Sequence, residues 1–292
     1  MKLAIIGNLD KPGLREAVQL LLEKISPSKM DYVIDAKIVR LLAGGGMVVG
    51  PSHTCEGAGC LNNADVLVAF GGDGTILSAA RMVGAGGTPI LGVNLGKLGF
   101  LAELAPDDMA GAIDDILDGK FIIEERLVLK ATLPSQPDKV FFAVNDIVVD
   151  KSRSPRLIDL VTQIDGAFAV TYRGDGLIIS TPTGSTGYAL SSGGPIVIPT
   201  SHVIGITPIS PHSLNGRPLI IPDASVVRVV VRTDVAEILL SSDGQAEAFL
   251  KPPVEVLVQK ADYTLKLVKR VDRSYFDVLR AKLLWGQDAR SS

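Results

Sequence analysis

The apolar run at residues 66–70, Val-Leu-Val-Ala-Phe, passes without a break into Gly71-Gly72-Asp73-Gly74-Thr75 and then into the helix-like stretch 76–82. A continuous aliphatic run reads as a strand buried on both faces, and such a strand turning directly into a helix is the repeating unit of a parallel α/β sheet. The turn therefore lies at the carboxyl end of a strand, the edge of an open α/β sheet where ligands bind. Glycines there let a phosphate approach the backbone closely, beside the positive end of the following helix. One carboxylate stands in this turn. Asp73 is suited to act as a general base on a hydroxyl or as a ligand of a phosphate-bound magnesium ion, with capping of the helix N-terminus as the structural alternative.

The same alternation runs through the first hundred residues, with strands expected at 2–7, 64–70 and 89–93 and helices at 12–25 and 75–83. A helix at 106–117, with Asp107 and Asp108 early and Gly119 just past its end, leads onward. The pattern then changes. β-Branched or alternating runs at 121–133, 140–150, 157–164, 167–172, 177–180, 226–232, 236–241, 254–259 and 264–269, separated by turns such as Asp165-Gly166, predict a mostly antiparallel β region. Helical spacing returns only at 275–285, where Phe276, Leu279 and Leu283 form a face expected to pack back toward the first domain. A chain of 292 residues exceeds the usual single domain. The expected architecture is an α/β Rossmann-like nucleotide-binding domain over 1–105, joined by a C-terminal helix within 272–292, plus an antiparallel β-rich, sandwich-like domain over 106–271. The linker is expected near Ala105.

Net charge and cysteine usage narrow the partners. A formal charge of −3 gives no basic field for a polyanion, which argues against nucleic acid and membrane surfaces. The apolar run at the N-terminus is too brief for a signal peptide, and no apolar stretch reaches the length of a membrane-spanning helix, so a cytoplasmic location is expected. Cys55 and Cys60 are the only cysteines, which fits a reducing compartment. With His53 they invite a zinc reading, but three candidate ligands in one loop leave a tetrahedral structural site one short. The expectation is unremarkable thiols in a mobile loop near Asp73, and no metal site.

Three further segments carry chemistry. Gly92-Val93-Asn94-Leu95-Gly96-Lys97-Leu98-Gly99-Phe100 follows another strand; its glycines keep the backbone open and Phe100 offers an aromatic face to a flat base or sugar. An ordinary turn with a core phenylalanine is the plain alternative. Asn145-Asp146 interrupts the apolar strand 140–149, so at least one polar group must face inward and find partners, whether ribose hydroxyls, a bulge or a neighbouring loop. Arg173-Gly174-Asp175-Gly176 leads through a short strand into Thr181-Pro182-Thr183-Gly184-Ser185-Thr186-Gly187-Tyr188-Ala189-Leu190-Ser191-Ser192-Gly193-Gly194-Pro195. That loop is rich in small hydrogen-bond donors for a polar ligand.

With these segments in this order, followed by Thr207-Pro208-Ile209, His212, Arg217-Pro218 and Ser242-Asp243-Gly244-Gln245, the chain resembles the NAD kinase family over roughly residues 2 to 270. The glycine turn alone is shared with diacylglycerol, sphingosine and phosphofructo-kinases; the Thr-Pro-Thr-Gly-Ser-Thr loop discriminates far better. The resemblance implies phosphoryl transfer from ATP, with magnesium or another divalent cation, to the 2′-hydroxyl of the adenosine ribose of NAD. It implies Asp73 as catalytic base and Gly71, Gly72, Gly74 and Thr75 along the ATP phosphates. It implies NAD contacts from Gly74, Phe100, Asn145, Asp146, Arg173, Asp175, Thr183, Thr186, Gly187, Tyr188, Ser191 and Gln245, in a site formed by the two domains. It further implies a homodimer or homotetramer in which Asp175, on a turn expected to project from its own domain, reaches a neighbour's site. Two positions depart from the family pattern: Asp146, where many members carry Glu, and Gly187, commonly Ala. A lipid kinase sharing the glycine turn is the rival enzyme, opposed by the lack of an amphipathic or basic membrane-docking stretch. A non-catalytic NAD(P)-binding regulator is the rival from another class, opposed by the intact turn around Asp73.

Overall fold

The computed structural model describes residues 1–26, 30–97, 99–102, 104–271 and 274–284. The chain forms two compact units, Met1–Glu125 with Leu265–Ser292, and Arg126–Thr264.

The first unit is built on a seven-stranded sheet in the order Thr54–Cys55, Asp31–Asp35, Lys2–Gly7, Val66–Gly71, Ile90–Asn94, Leu265–Arg270, Phe121–Arg126. Strand Lys2–Gly7 pairs in parallel with Asp31–Asp35 on one side and Val66–Gly71 on the other, so the order of winding reverses there. Val66–Gly71 is buried along its whole length, as a strand covered on both faces must be. Helix Leu14–Ile25 buries Leu14, Ala17, Val18, Leu21, Leu22 and Ile25, a three-and-four-residue stripe that seals one face of the sheet. It starts at Gly13, whose φ of 80° suits glycine.

The second unit is a β-sandwich. One six-stranded sheet runs Ala167–Gly174, Ile158–Ile164, Val227–Arg232, Val254–Lys260, Leu129–Leu133, Gln136–Ala143; the other runs Leu219–Pro222, Val203–Ile209, Gly176–Ser180, Asp146–Asp150, Ile238–Ser242, Ala246–Leu250. Alternate residues of both sheets, among them Leu160, Val229 and Val256 from one and Ile147, Val149, Ile179 and Leu240 from the other, merge into a single core. Asp165-Gly166 forms the expected hairpin, both residues at positive φ. The chain steps between the two sheets at Asn145 and at Asp175, which places both residues where strand pairing changes partner.

Several elements differ from the sequence reading. The run 121–133 is two strands, and its first half closes the edge of the first sheet. Strand Leu265–Arg270, expected among the β-rich region, runs parallel to Ile90–Asn94 in that same sheet. The compact units consequently divide after Glu125 and before Leu265, where the sequence placed the boundaries near 105 and 271. Strand Asp31–Asp35 and helix Ala36–Ala43 lie in a stretch where the sequence predicts no element. Cys55 and Cys60 are joined in a disulfide, correcting the free-thiol reading: a tight turn over Gly57–Leu61 folds buried Cys60 back onto Cys55. The surrounding loop is correspondingly built rather than open, with Thr54–Cys55 on the sheet edge and His53 stacked on Tyr32. The C-terminal helix spans Tyr275–Leu283 and buries Val278 and Leu279, whereas Phe276, expected on the inner face, is exposed. The expected residues 272–273 and 285–292 lie outside the described ones. Among the described residues no helix is long and apolar enough to cross a membrane.

Candidate active site

Helix Asp73–Val83 begins at Asp73 itself, with Gly72 in the N-cap position and no side-chain cap. Gly71 is obligatory, since a Cβ there would fall 2.1 Å from Thr75 Oγ1. The Asp73 carboxylate does not cap its helix. It accepts backbone N–H bonds from Phe100 (2.9 Å, Oδ2), Leu101 (2.9 Å, Oδ1) and Ala102 (3.1 Å, Oδ1), and so clamps the loop that follows strand Ile90–Asn94. Gly99 lies against the clamp, because a Cβ there would sit 2.0 Å from Asp73 Oδ1. A carboxylate offers about four lone-pair positions, so three N–H donors leave one for a hydroxyl. The Phe100 ring is partly covered by the C-terminal helix, with Tyr275 at 6.5 Å between centroids and Lys282 Nζ at 5.5 Å.

Beside the glycine turn, at the point where the sheet's winding reverses, lies a cavity of about 350 Å³ lined by Gly7, Asn8, Asp35, Lys37, Gly74, Thr75 and Ser78 among others. A helix N-terminus, a lysine and two hydroxyl side chains are the chemistry of a phosphate site. Among the described residues no three His, Cys, Asp or Glu side chains are grouped to hold a metal ion. Magnesium carried on nucleotide phosphates needs no such cage, since it keeps several waters and takes one or two carboxylates, and Asp35 is the carboxylate on this cavity wall.

The second unit repeats the clamp. Asp243 accepts backbone N–H bonds from Val144 (2.9 Å), Asn145 (2.7 Å) and Asp146 (3.1 Å), fixing the step between sheets. Asp243 and Gly244, both at positive φ, form the turn that aims this carboxylate. Asp243 belongs to the Ser242-Asp243-Gly244-Gln245 motif, where an acidic residue before a turn glycine is the signal the sequence carries for it. Asn145 O in turn accepts from Thr181 N at 2.9 Å, and Gly184 packs so closely that a Cβ would lie 2.0 Å from that oxygen.

A second cavity, about 360 Å³, opens here, lined by Asn145, Asp146, Val148, Asp150, Tyr188 and Asp243 among others. Burial, and then the charge of Asp243, push the Asp146 carboxyl up to about 7. Burial likewise raises Asp150, opposed by the Ser152 N–H; the charges of Asp175 and Lys151 act on it in opposite senses. The Tyr188 hydroxyl is raised by burial and by Asp150, Asp175 and Asp146 together.

The remaining predicted residues divide. Gly187 sits by Asn145, with Tyr188 and Ser191 on the short helix that follows, all three exposed. The loop's other hydroxyls serve its own backbone: Thr181 bonds Val144 O, Ser185 bonds Pro182 O, and Thr186 bonds Thr183 O. Thr183 is buried and accepts from Arg126 Nη1 at 3.2 Å; Arg126, itself fully buried, carried no sequence signal beyond a cation before an apolar run. Asp175 does not project as an arm. It is half-buried, its N–H bonds Ile209 O, and its carboxylate pairs with Lys151 of the same chain at 2.7 Å. Arg173 is exposed near Asp159, and Gln245 is exposed in the turn after Gly244; neither lines the cavity.

Residues 54–121 match the ATP-NAD kinase N-terminal domain and residues 144–270 the ATP-NAD kinase C-terminal domain. The chain belongs to the NAD kinase family. Its relatives in that family include an NAD kinase of Chlorobium limicola, 38% identical over 296 residues that cover 100% of this chain and 99% of the relative. An NAD kinase of Bacteroides fragilis is 44% identical over 233 residues, 78% of this chain and 79% of the relative. Among solved structures, yeast NADH kinase complexed with NADH superposes with a TM-score of 0.91 at 28% identity, covering 100% of this chain and 90% of that one.

Proposed function

We propose that the chain transfers the γ-phosphoryl group of ATP to the 2′-hydroxyl of the adenosine ribose of NAD, giving NADP and ADP. The 2′-oxygen forms the new bond to phosphorus, the bond to the β–γ bridging oxygen breaks, and the hydroxyl proton passes to Asp73. ATP enters as its magnesium complex, and the ion neutralises charge that builds on the transferring phosphoryl group. Lys37, Gly74 and the hydroxyls of Thr75 and Ser78 hold its phosphates. Asn145, Asp146, Gly187, Tyr188 and Ser191 hold NAD; Thr183, being enclosed, supports the loop from within. Arg173 and Gln245, both exposed, complete the site in a homodimer or homotetramer, Asp175 being tied to Lys151 of its own chain, and the protein works in the cytoplasm. The observation that carries this reading is the family match together with a carboxylate at the glycine turn that keeps one acceptor position open.

A binder without turnover is favoured by one observation, the three N–H groups already on Asp73. Incubation with NAD, magnesium and either ATP or polyphosphate, read by an NADP-specific enzymatic assay, separates the two. NADP formation is expected with ATP; no NADP with any donor would leave the binder.

Truncating Asn145→Ala removes side-chain donors from the cavity while its backbone stays held by Asp243 and Thr181. NAD affinity should fall by roughly 1–3 kcal/mol, the cost of leaving desolvated ligand groups unpaired. Calorimetric titration of the folded variant checks this, and unchanged affinity would make Asn145 structural.

A further inference from the structure

We propose that Asp243 is a positioning residue for substrate binding: its carboxylate holds the backbone that presents Asn145 and Asp146, and so sets the affinity for NAD. This rests on the reading that Asn145 and Asp146 hold NAD. The chain leaves one sheet of the sandwich at Ala143 and enters the other at Asp146, so residues 144–146 stand where one strand ladder gives way to the next. Val144 and Asp146 are buried there, and backbone groups withdrawn from water need partners of their own.

Two residues supply them. The Asp243 carboxylate accepts the N–H groups of Val144 (2.9 Å, Oδ2), Asn145 (2.7 Å, Oδ1) and Asp146 (3.1 Å, Oδ1). On the carbonyl side, Thr181 donates its hydroxyl to Val144 O at 2.6 Å and its N–H to Asn145 O at 2.9 Å, while the Asp243 N–H donates to Asp146 O at 3.0 Å. Every N–H and C=O of three consecutive residues is thus met by Asp243 or Thr181. A side chain leaves its backbone in a direction the backbone fixes, so this clamp determines how Asn145 and Asp146 line the cavity.

The hairpin itself does not need the carboxylate. Asp243 and Gly244 stand at φ 53° and 61° between strands Ile238–Ser242 and Ala246–Leu250, and asparagine suits that conformation as well as aspartate does. Asparagine would also remove the like charge that Asp243 sets against buried Asp146. What the turn leaves unexplained is the use of a full carboxylate, and three converging N–H bonds supply that use. Asp165-Gly166 is the contrast within the same unit. It is the same kind of hairpin, with Asp165 at φ 50°, and the Asp165 carboxylate accepts the Val226 N–H at 2.8 Å, but Asp165 is not among the residues lining the cavity of Asn145 and Asp146.

The test measures Kd for NAD by calorimetry, and kcat and KM for NAD with ATP and magnesium, on the whole chain. Asp243→Ala should raise Kd and KM for NAD by about 10–100-fold and change kcat by less than about threefold, because a displaced binding pair weakens substrate and transition state alike. Asp243→Asn keeps the hairpin and, with its oxygen in the Oδ1 position, the bonds from Asn145 and Asp146; it should fall between the wild type and Asp243→Ala, and it serves alone where the alanine variant does not fold. Asp165→Ala, which breaks the comparable bond away from the cavity, should leave KM for NAD unchanged. Asp243→Asn combined with Asn145→Ala should weaken binding by less than the product of the two single effects, since Asp243 acts through Asn145. Unchanged KM for NAD in Asp243→Asn, an equal rise in Asp165→Ala, or full additivity in the double variant would overturn the positioning role. Unchanged affinity in Asn145→Ala would instead overturn the reading that this pair holds NAD, and failure of the wild type to form NADP would overturn the kinase reading while the affinities still score the clamp.

Discussion

Replacing Asp73 by Asn should reduce turnover by roughly 10²–10⁴-fold while NAD affinity changes little. The amide keeps the size of the side chain and one acceptor oxygen but takes up no proton. Its effect on the loop is calculable from the contacts. With the oxygen in the Oδ1 position, the bonds from Leu101 and Ala102 persist, and the amide group faces the Phe100 N–H in place of Oδ2. One hydrogen bond of about 1 kcal/mol is lost. A drop in kcat far beyond what that local loss explains assigns the proton to Asp73, whereas near wild-type turnover would remove Asp73 from that role. A magnesium titration of the variant distinguishes a lost base from a lost metal contact, because only the second is offset by added ion.

The clamp on Asp73 shows where the sequence was readable and where it was not. An apolar strand ending in glycines is a local signal, and it located the turn, its helix and the sheet edge together. The partners of the carboxylate lie 27 to 29 residues away, and those of Asp243 lie 97 to 99 residues away, distances over which no periodicity speaks. Strand Val203–Ile209 was hidden by Gly205 and Pro208, residues that argue against a strand. In the fold Pro208 is tolerated because the flanking strand Leu219–Pro222 reaches only as far as Ile206, leaving that side of the backbone without a ladder to break. Leu265–Arg270 looked like its neighbours because an alternating run encodes a pleat but not the sheet it joins. The Cys55–Cys60 pair gave no local sign, since two thiols in a glycine-rich segment read the same free or joined.

Asp146→Asn should make the protein more stable at pH 8 and less able to bind NAD. Burial, followed by the charge of Asp243, raises the Asp146 carboxyl from 3.8 to about 7, so the folded state holds this proton more tightly than the unfolded chain does. The sign follows from linkage: between about pH 4 and pH 7 the native protein binds more protons, so this group's contribution to stability declines as pH rises through that window and is level above it. Charging the buried carboxylate costs on the order of 2–4 kcal/mol by pH 8, and an amide of the same shape never incurs that cost. The amide also removes the like charge that Asp146 sets against Asp243. Denaturant midpoints should therefore separate at pH 8, with the variant higher, and converge near pH 4. Equal midpoints at pH 8 would mean that water or a neighbouring donor already compensates the charge. On the proposed reading that Asp146 is one of the groups that hold NAD, affinity for NAD in the same variant should fall, because the carboxylate removed is one the ligand would engage. A destabilising carboxylate that is retained in a cavity is the expected mark of a binding residue, where stability is given up for function.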